Sequence, residues 1–259
     1  MAWADLPAGR FYYEDAGEGE TIVFSHGFLM DHEMFIPQID ALRGSYRCVS
    51  WDQRGHGATE ASGDWSFWDS ADDLLGLLDH LRVESAFLVG MSQGGFISLR
   101  TALAGPPRVR GLVLIDTQAG LESPDLVPAY DAMVAQWTTE GPTQELGQAT
   151  ASIILGPGTD QEPWIEKWMA RDPDDLGPIY RTLMSRDDIT DRLGDISAPA
   201  LVLHGEDDVA IAVDRARTLC EGLGGCDGLL LIPGAGHASN LGDPDTVNEA
   251  IDSFLKKHS

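Results

Sequence analysis

The stretch Ala86-Phe87-Leu88-Val89-Gly90-Met91-Ser92-Gln93-Gly94-Gly95-Phe96 decides how the rest of the chain is read. Its first four residues are uniformly apolar, the pattern of a strand buried on both faces. Beyond the glycines, Ile97, Leu99, Ala102 and Leu103 resume as a helical pattern. Between the two lies Gly90-x-Ser92-x-Gly94, a strand–turn–helix junction with a serine at its apex. So sharp a turn crowds the positions two residues either side of the serine, which is why residues without Cβ stand there. The serine becomes a candidate nucleophile only if a base, an acid and an oxyanion site are found elsewhere.

Working outward from this junction, the chain alternates strands and helices. Upstream, residues 9–15 read as a strand, and Thr21-Ile22-Val23-Phe24-Ser25 is a short apolar strand running into His26-Gly27-Phe28. An amphipathic helix follows around Met34 to Leu42, with Phe35, Ile39 and Leu42 at helical spacing. Tyr46 to Trp51 is the next strand, ending in Asp52-Gln53-Arg54-Gly55-His56-Gly57, and a helix is expected from about Ser66 to Leu81. Downstream, Val109 to Ile115 is a strand that stops at Asp116. Residues 117–195 hold no strand-like run longer than Ser152-Ile153-Ile154-Leu155, and they read as a helical insertion. After Pro199 the alternation resumes: strand Ala200 to His204, helix Val213 to Leu223, strand Leu229 to Ile232, helix Pro244 to Lys256.

Repeated strand–helix units of this kind predict an α/β fold with a mostly parallel central sheet flanked by helices. Residues 1–116 and 196–259 would form the core, with the helical insertion following its sixth strand. In such sheets functional groups collect outside the carboxyl ends of the strands. Phe28, Ser92, Asp208 and His237 each stand just past an expected strand end.

Composition narrows the classes of function. The 259 residues carry a net charge of −25, which argues against nucleic acid or an anionic membrane, since both need clustered Lys and Arg. No apolar run approaches the roughly 20 residues of a membrane helix. The opening Met1-Ala2-Trp3-Ala4-Asp5-Leu6-Pro7 has neither the basic nor the apolar segment of a signal peptide, so the cytoplasm is the expected location. Cys48, Cys220 and Cys226 show no zinc-ligand or C-x-x-C spacing, and free thiols are expected rather than a disulfide framework. Neither a metal nor another cofactor is called for.

The base candidate is His237, on the glycine-rich loop Pro233-Gly234-Ala235-Gly236-His237 between the last strand and the last helix. There backbone freedom lets an imidazole reach back to the sheet edge. The acid should lie between nucleophile and base in the chain order Ser…Asp…His. Asp208 is favoured, three residues past Gly205; Asp116 is a weaker candidate, and Glu206 and Asp207 read as solvated loop acids. The oxyanion donors would be two backbone N–H groups, those of Gln93 after the nucleophile and of Phe28 beside Gly27.

His26-Gly27-Phe28, Asp52-x-Arg54-Gly55-His56-Gly57, Gly90-x-Ser92-x-Gly94-Gly95, Gly205-x-x-Asp208 and Gly234-x-Gly236-His237 occur in that order. Together they resemble the α/β-hydrolase superfamily over nearly the whole chain. Within it the chain is similar to small bacterial esterases and perhydrolases and to 3-oxoadipate enol-lactonases. The resemblance implies a triad of Ser92, Asp208 and His237, an oxyanion hole at Phe28 and Gln93, and a cap formed by residues 117–195. Serine at the elbow departs from the dehalogenase and epoxide hydrolase branches, which carry aspartate there.

The cap should set the substrate. Phe28, Met133, Trp137, Trp164, Trp168, Met169, Leu183 and Met184 could line an apolar pocket, although packing of cap helices is the better reading for any one of the cap residues. Arg181 or Arg186 could meet a substrate carboxylate, but surface arginine is the simpler assignment for each. The leading expectation is a cofactor-free serine hydrolase of small to medium, mostly apolar carboxylic esters. A lactonase resembling 3-oxoadipate enol-lactonase and a non-catalytic small-molecule receptor are the alternatives. The partner is thus a small ester or lactone, and a homo-oligomer is left open.

Overall fold

The computed structural model describes residues 2–61 and 63–259; Met1, at the head of the opening stretch, and Ser62 lie outside it. The strands and helices alternate from the start of the chain. β1 (Ala2–Leu6), β2 (Gly9–Ala16) and β3 (Thr21–Ser25) precede α1 (Ile36–Leu42), β4 (Arg47–Trp51), α2 (Phe67–His80), β5 (Ala86–Met91), α3 (Gln93–Ala104) and β6 (Val109–Ile115). Four helices follow before the sheet resumes: α4 (Val127–Glu140), α5 (Gln144–Ile154), α6 (Glu162–Met169) and α7 (Leu176–Met184). The chain closes with β7 (Ala200–Gly205), α8 (Val213–Gly222), β8 (Cys226–Ile232), α9 (Ser239–Gly242) and α10 (Pro244–His258).

The eight strands form one sheet in the order β1-β2-β4-β3-β5-β6-β7-β8. β1, β2 and β4 pair antiparallel, and every pairing from β4 through β3 to β8 is parallel. β1 alternates in burial, but it escapes a reading by pattern because the aromatic Trp3 stands on its exposed face and only Ala4 is fully buried. The central strands are covered on both faces. Ile22, Phe24, Phe87 and Val89 enter one core with Leu42 of α1 and Ile251 of α10. Val23 and Leu88 enter the other with Leu74 of α2, Ile97 of α3 and Leu219 of α8. Short parallel strands buried on both faces read as continuous apolar runs for this reason.

A local signal fixes the start of α2. Ser66 and Asp69 form a reciprocal capping box at the head of α2. Ser152-Ile153-Ile154-Leu155, strand-like in composition, closes helix α5 because Ile154 shares its buried stripe with Leu146, Gly147 and Ala151. One expectation is overturned: Cys220 and Cys226 form a disulfide, with Cα atoms 5.5 Å apart. The end of α8 turns directly into β8, which brings together two thiols whose spacing of six residues carries no such signal. Cys48 stays a free core thiol, and burial pushes its pKa up to about 12. Among the described residues no helix is long and apolar enough to cross a membrane.

The β5–α3 junction admits no side chain at its glycines. A Cβ on Gly94 would run into the backbone carbonyl of Ser25, and one on Gly90 into that of Gly94. Both obstacles are backbone, so neither can swing aside. Gly94→Ala is therefore expected to cost about 3 kcal/mol or more, read as a lowered urea midpoint.

Candidate active site

Ser92 sits at the turn between β5 and α3 with φ +49° and ψ −113°, a strained conformation for a residue bearing Cβ. Such a residue costs on the order of 1–3 kcal/mol and persists only where its surroundings impose it. Here the Ser92 N–H donates to the Ile115 carbonyl (2.8 Å) and its own carbonyl accepts from the Thr117 hydroxyl (2.7 Å). The elbow is thereby pinned to the end of β6.

The loops after β7 and β8 bring two further groups to this apex. Ser92 Oγ lies 2.9 Å from His237 Nε2, and His237 Nδ1 lies 2.8 Å from Asp208 Oδ2. An ionised carboxylate only accepts, so Nδ1 carries the proton and the Nε2 lone pair faces the Ser92 hydroxyl. Asp208 Oδ1 accepts from the N–H groups of Ala210 (2.8 Å) and Ile211 (2.9 Å), which fixes the carboxylate plane. The two loops are tied by the Asp207 N–H donating to the Ala235 carbonyl at 2.9 Å. Burial disfavours the imidazolium of His237, but the Asp208 carboxylate, with smaller pulls from Asp116 and Glu122, outweighs it and the pKa rises above its ordinary value. Burial likewise works against the Asp208 carboxylate, yet His237 and the backbone donors hold its pKa low.

Asp116, the weaker acid candidate, is turned elsewhere. Its carboxyl accepts from the N–H of Gly205 (2.7 Å) and from the N–H (2.9 Å) and hydroxyl (2.6 Å) of Ser239. It stitches the ends of β6 and β7 to the start of α9, and burial raises its pKa to about 6. His204, also fully buried, donates Nε2–H to the Ile211 carbonyl at 2.8 Å and supports the Asp208 loop from beneath.

A second network, unassigned by sequence reasoning, runs beneath Phe28 and Gln93. The Gln53 N–H donates to His26 Nε2 (3.1 Å), which leaves His26 Nδ1–H to donate to the Gly27 carbonyl (2.8 Å). Burial lowers the pKa of His26, in keeping with a neutral ring. Because the Gly27–Phe28 peptide is trans, the Phe28 N–H points away from the clamped Gly27 carbonyl. The Gln53 side chain donates to the His26 carbonyl and accepts from Gln93 Nε2, both at 2.6 Å. Among the described residues the backbone N–H groups of Phe28 and Gln93 have no acceptor. The signal was present in Asp52-Gln53-Arg54-Gly55-His56-Gly57, but a motif alone does not tell which side chain reaches inward.

The cavity over Ser92 is lined by Phe28, Phe96, Glu122, Tyr130, Met133, Thr150, Ile153, Ile154, Tyr180, Leu183, Ala210, Ile211 and His237. Of the residues suggested for it, Phe28, Met133 and Leu183 stand in the wall. Trp137, Trp164, Trp168 and Met184 do not. Trp137 and Trp168 are buried with ring centres 6.5 Å apart, and Trp168 Nε1–H donates to the Leu29 carbonyl at 2.8 Å. The tryptophans thus pack the helical segment onto the core, and Met169 is exposed. Arg181 is exposed and paired with Asp64, whereas Arg186, expected at the surface, is buried.

Comparison with known proteins agrees with the fold. A family model described as the alpha/beta hydrolase fold matches residues 20–151. RutD of Agrobacterium fabrum, provisionally named a carbamate hydrolase, is 31% identical over 92% of this chain and 94% of its own length. 3-oxoadipate enol-lactonase 2 of Acinetobacter baylyi is 26% identical, over 92% of this chain and 89% of its own. A thermophilic esterase from Thermogutta terrifontis superposes with a TM-score of 0.89 at 26% identity, covering 100% of this chain and 99% of that one. The chain therefore belongs to the α/β-hydrolase family and is a hydrolase.

Proposed function

We propose that the protein hydrolyses small to medium, mostly apolar carboxylic esters through an acyl-enzyme on Ser92. The observation that carries this reading is the unbroken chain from Ser92 Oγ to His237 (2.9 Å) to Asp208 (2.8 Å), opening on an apolar cavity. Ser92 Oγ attacks the ester carbonyl carbon while its proton passes to His237 Nε2. The carbonyl electron pair moves onto oxygen, and the N–H groups of Phe28 and Gln93 receive the charge. Collapse expels the alcohol, which takes the proton from His237. Water, deprotonated by His237, then attacks the acyl carbon, and a second collapse releases the acid and returns the proton to Ser92.

Residues 117–195 act as a cap in this reading. Tyr130, Met133, Thr150, Ile153, Ile154, Tyr180 and Leu183, all from that segment, form most of the wall over the nucleophile. The His26–Gln53–Gln93 network would hold both oxyanion donors in register. Gln53→Ala removes the link between them and is expected to lower kcat about 10- to 100-fold with little change in KM, less than loss of a whole donor.

A lactone is an internal ester, so the same centre would open one, and the 26% identity to an enol-lactonase favours testing it. The direct experiment is a hydrolysis screen of p-nitrophenyl esters from acetyl to octanoyl, with neutral lactones and carbamates alongside. Turnover best on short to medium esters is the expected result. No turnover on any member, with tight binding of one retained, would make the protein a receptor instead.

A further inference from the structure

Among the described residues the cavity wall carries one carboxylate and no lysine or arginine. Glu122 lines the pocket with Phe28, Ser92, Tyr130 and Leu183. Its nearest cation, Arg186, sits behind the wall with Nη2 3.3 Å from Glu122 Oε2 and does not line the cavity. Each nitrogen of that guanidinium already has an acceptor. Nε donates to the Gly120 carbonyl (3.2 Å), Nη1 to the Leu183 carbonyl (2.8 Å), and the group lies 4.7 Å over the Phe96 ring centre. It therefore holds Glu122 in place and is not free to turn toward a ligand. Among the described residues no cationic side chain lines the cavity.

A ligand entering this site displaces water, and two like charges brought together in the drier space repel strongly. A neutral chain meets no such opposition, and a cation gains a partner. The field of Glu122 is felt across the pocket. Burial first and Glu122 second push the Tyr130 hydroxyl up to about 12, so it stays protonated. Glu122 also contributes to the upward pull on His237.

Resting on the ester-hydrolase reading, we propose that Glu122 is a specificity-determining residue that admits uncharged or cationic acyl and alcohol groups and turns away carboxylated ones. The same wall then opposes any lactone bearing a free carboxylate, since Arg186 is spent on Glu122.

The test compares p-nitrophenyl valerate with mono-p-nitrophenyl glutarate, equal in acyl length and differing in a terminal carboxylate. Wild-type kcat/KM should favour valerate by at least about 30-fold. Glu122→Gln should narrow that ratio about tenfold or more, through faster glutarate turnover, and Glu122→Asp should preserve it. Equal rates on the two esters in the wild type overturn the proposal, and that comparison needs no variant. An unchanged ratio in a folded Glu122→Gln protein overturns it as well. Absence of valerate turnover strikes the ester-hydrolase reading alone. The preference is then read from calorimetric binding of the same two esters, and equal affinities overturn it.

Discussion

Ser92→Ala should lower kcat on the best p-nitrophenyl ester by about 10⁴- to 10⁶-fold with the pocket and oxyanion donors intact. The variant removes one oxygen and leaves the backbone where it was. Alanine bears the same Cβ as serine, so the strain at φ +49° is unchanged. The unfolding midpoint should barely move, which separates lost chemistry from lost fold. A residual rate within about tenfold of the wild type would mean that bond cleavage does not pass through Ser92.

Asp208→Asn is the second large effect, and its size follows from two backbone donors. The N–H groups of Ala210 and Ile211 point at Oδ1, at 2.8 and 2.9 Å, so an asparagine carbonyl must take that place. Its amide N–H₂ then faces His237 Nδ1, which becomes the acceptor. The proton moves to Nε2, on the side of the Ser92 hydroxyl, and the ring can no longer take the serine proton. A loss of about 10³- to 10⁴-fold in kcat is expected from this wrong tautomer. The pH profile shifts with a defined sign. In the wild type, burial lowers the His237 pKa, and Asp208, helped by Asp116 and Glu122, raises it by more. Activity that needs a neutral base should thus fall, as pH drops, around a value above the ordinary 6.5. In Asp208→Asn burial is opposed only by the weaker pulls of Asp116 and Glu122, so the acid limb should move to lower pH. An unmoved acid limb would show that Asp208 does not set the base.

Much of this arrangement is legible in the residues because the fold ties chemistry to strand ends. Uniform apolar runs such as Ile22-Val23-Phe24 and Phe87-Leu88-Val89 mark strands buried on both faces. The glycine-flanked loops after β5, β7 and β8 mark where side chains can meet. What the sequence hides depends on contacts between distant segments. Trp137, Trp164 and Trp168 look like pocket residues by type, but their direction depends on how α4 and α6 roll against the core. The buried Arg186 looks like a surface residue until its contacts with Glu122 and Phe96 are seen. Gln93 carries no evident purpose at the elbow, because its partner Gln53 lies 40 residues away. The disulfide between Cys220 and Cys226 escapes for the same reason, since the turn that joins them is tertiary geometry.

The proposed mechanism requires Ser92 to become acylated. A fluorophosphonate reacts with a serine activated by a neighbouring base, and mass spectrometry of the digested protein locates the adduct. The structure predicts one adduct per chain, on Ser92, lost in Ser92→Ala and strongly slowed in His237→Ala. Labelling that survives Ser92→Ala, or an adduct mapped to another residue, would contradict it.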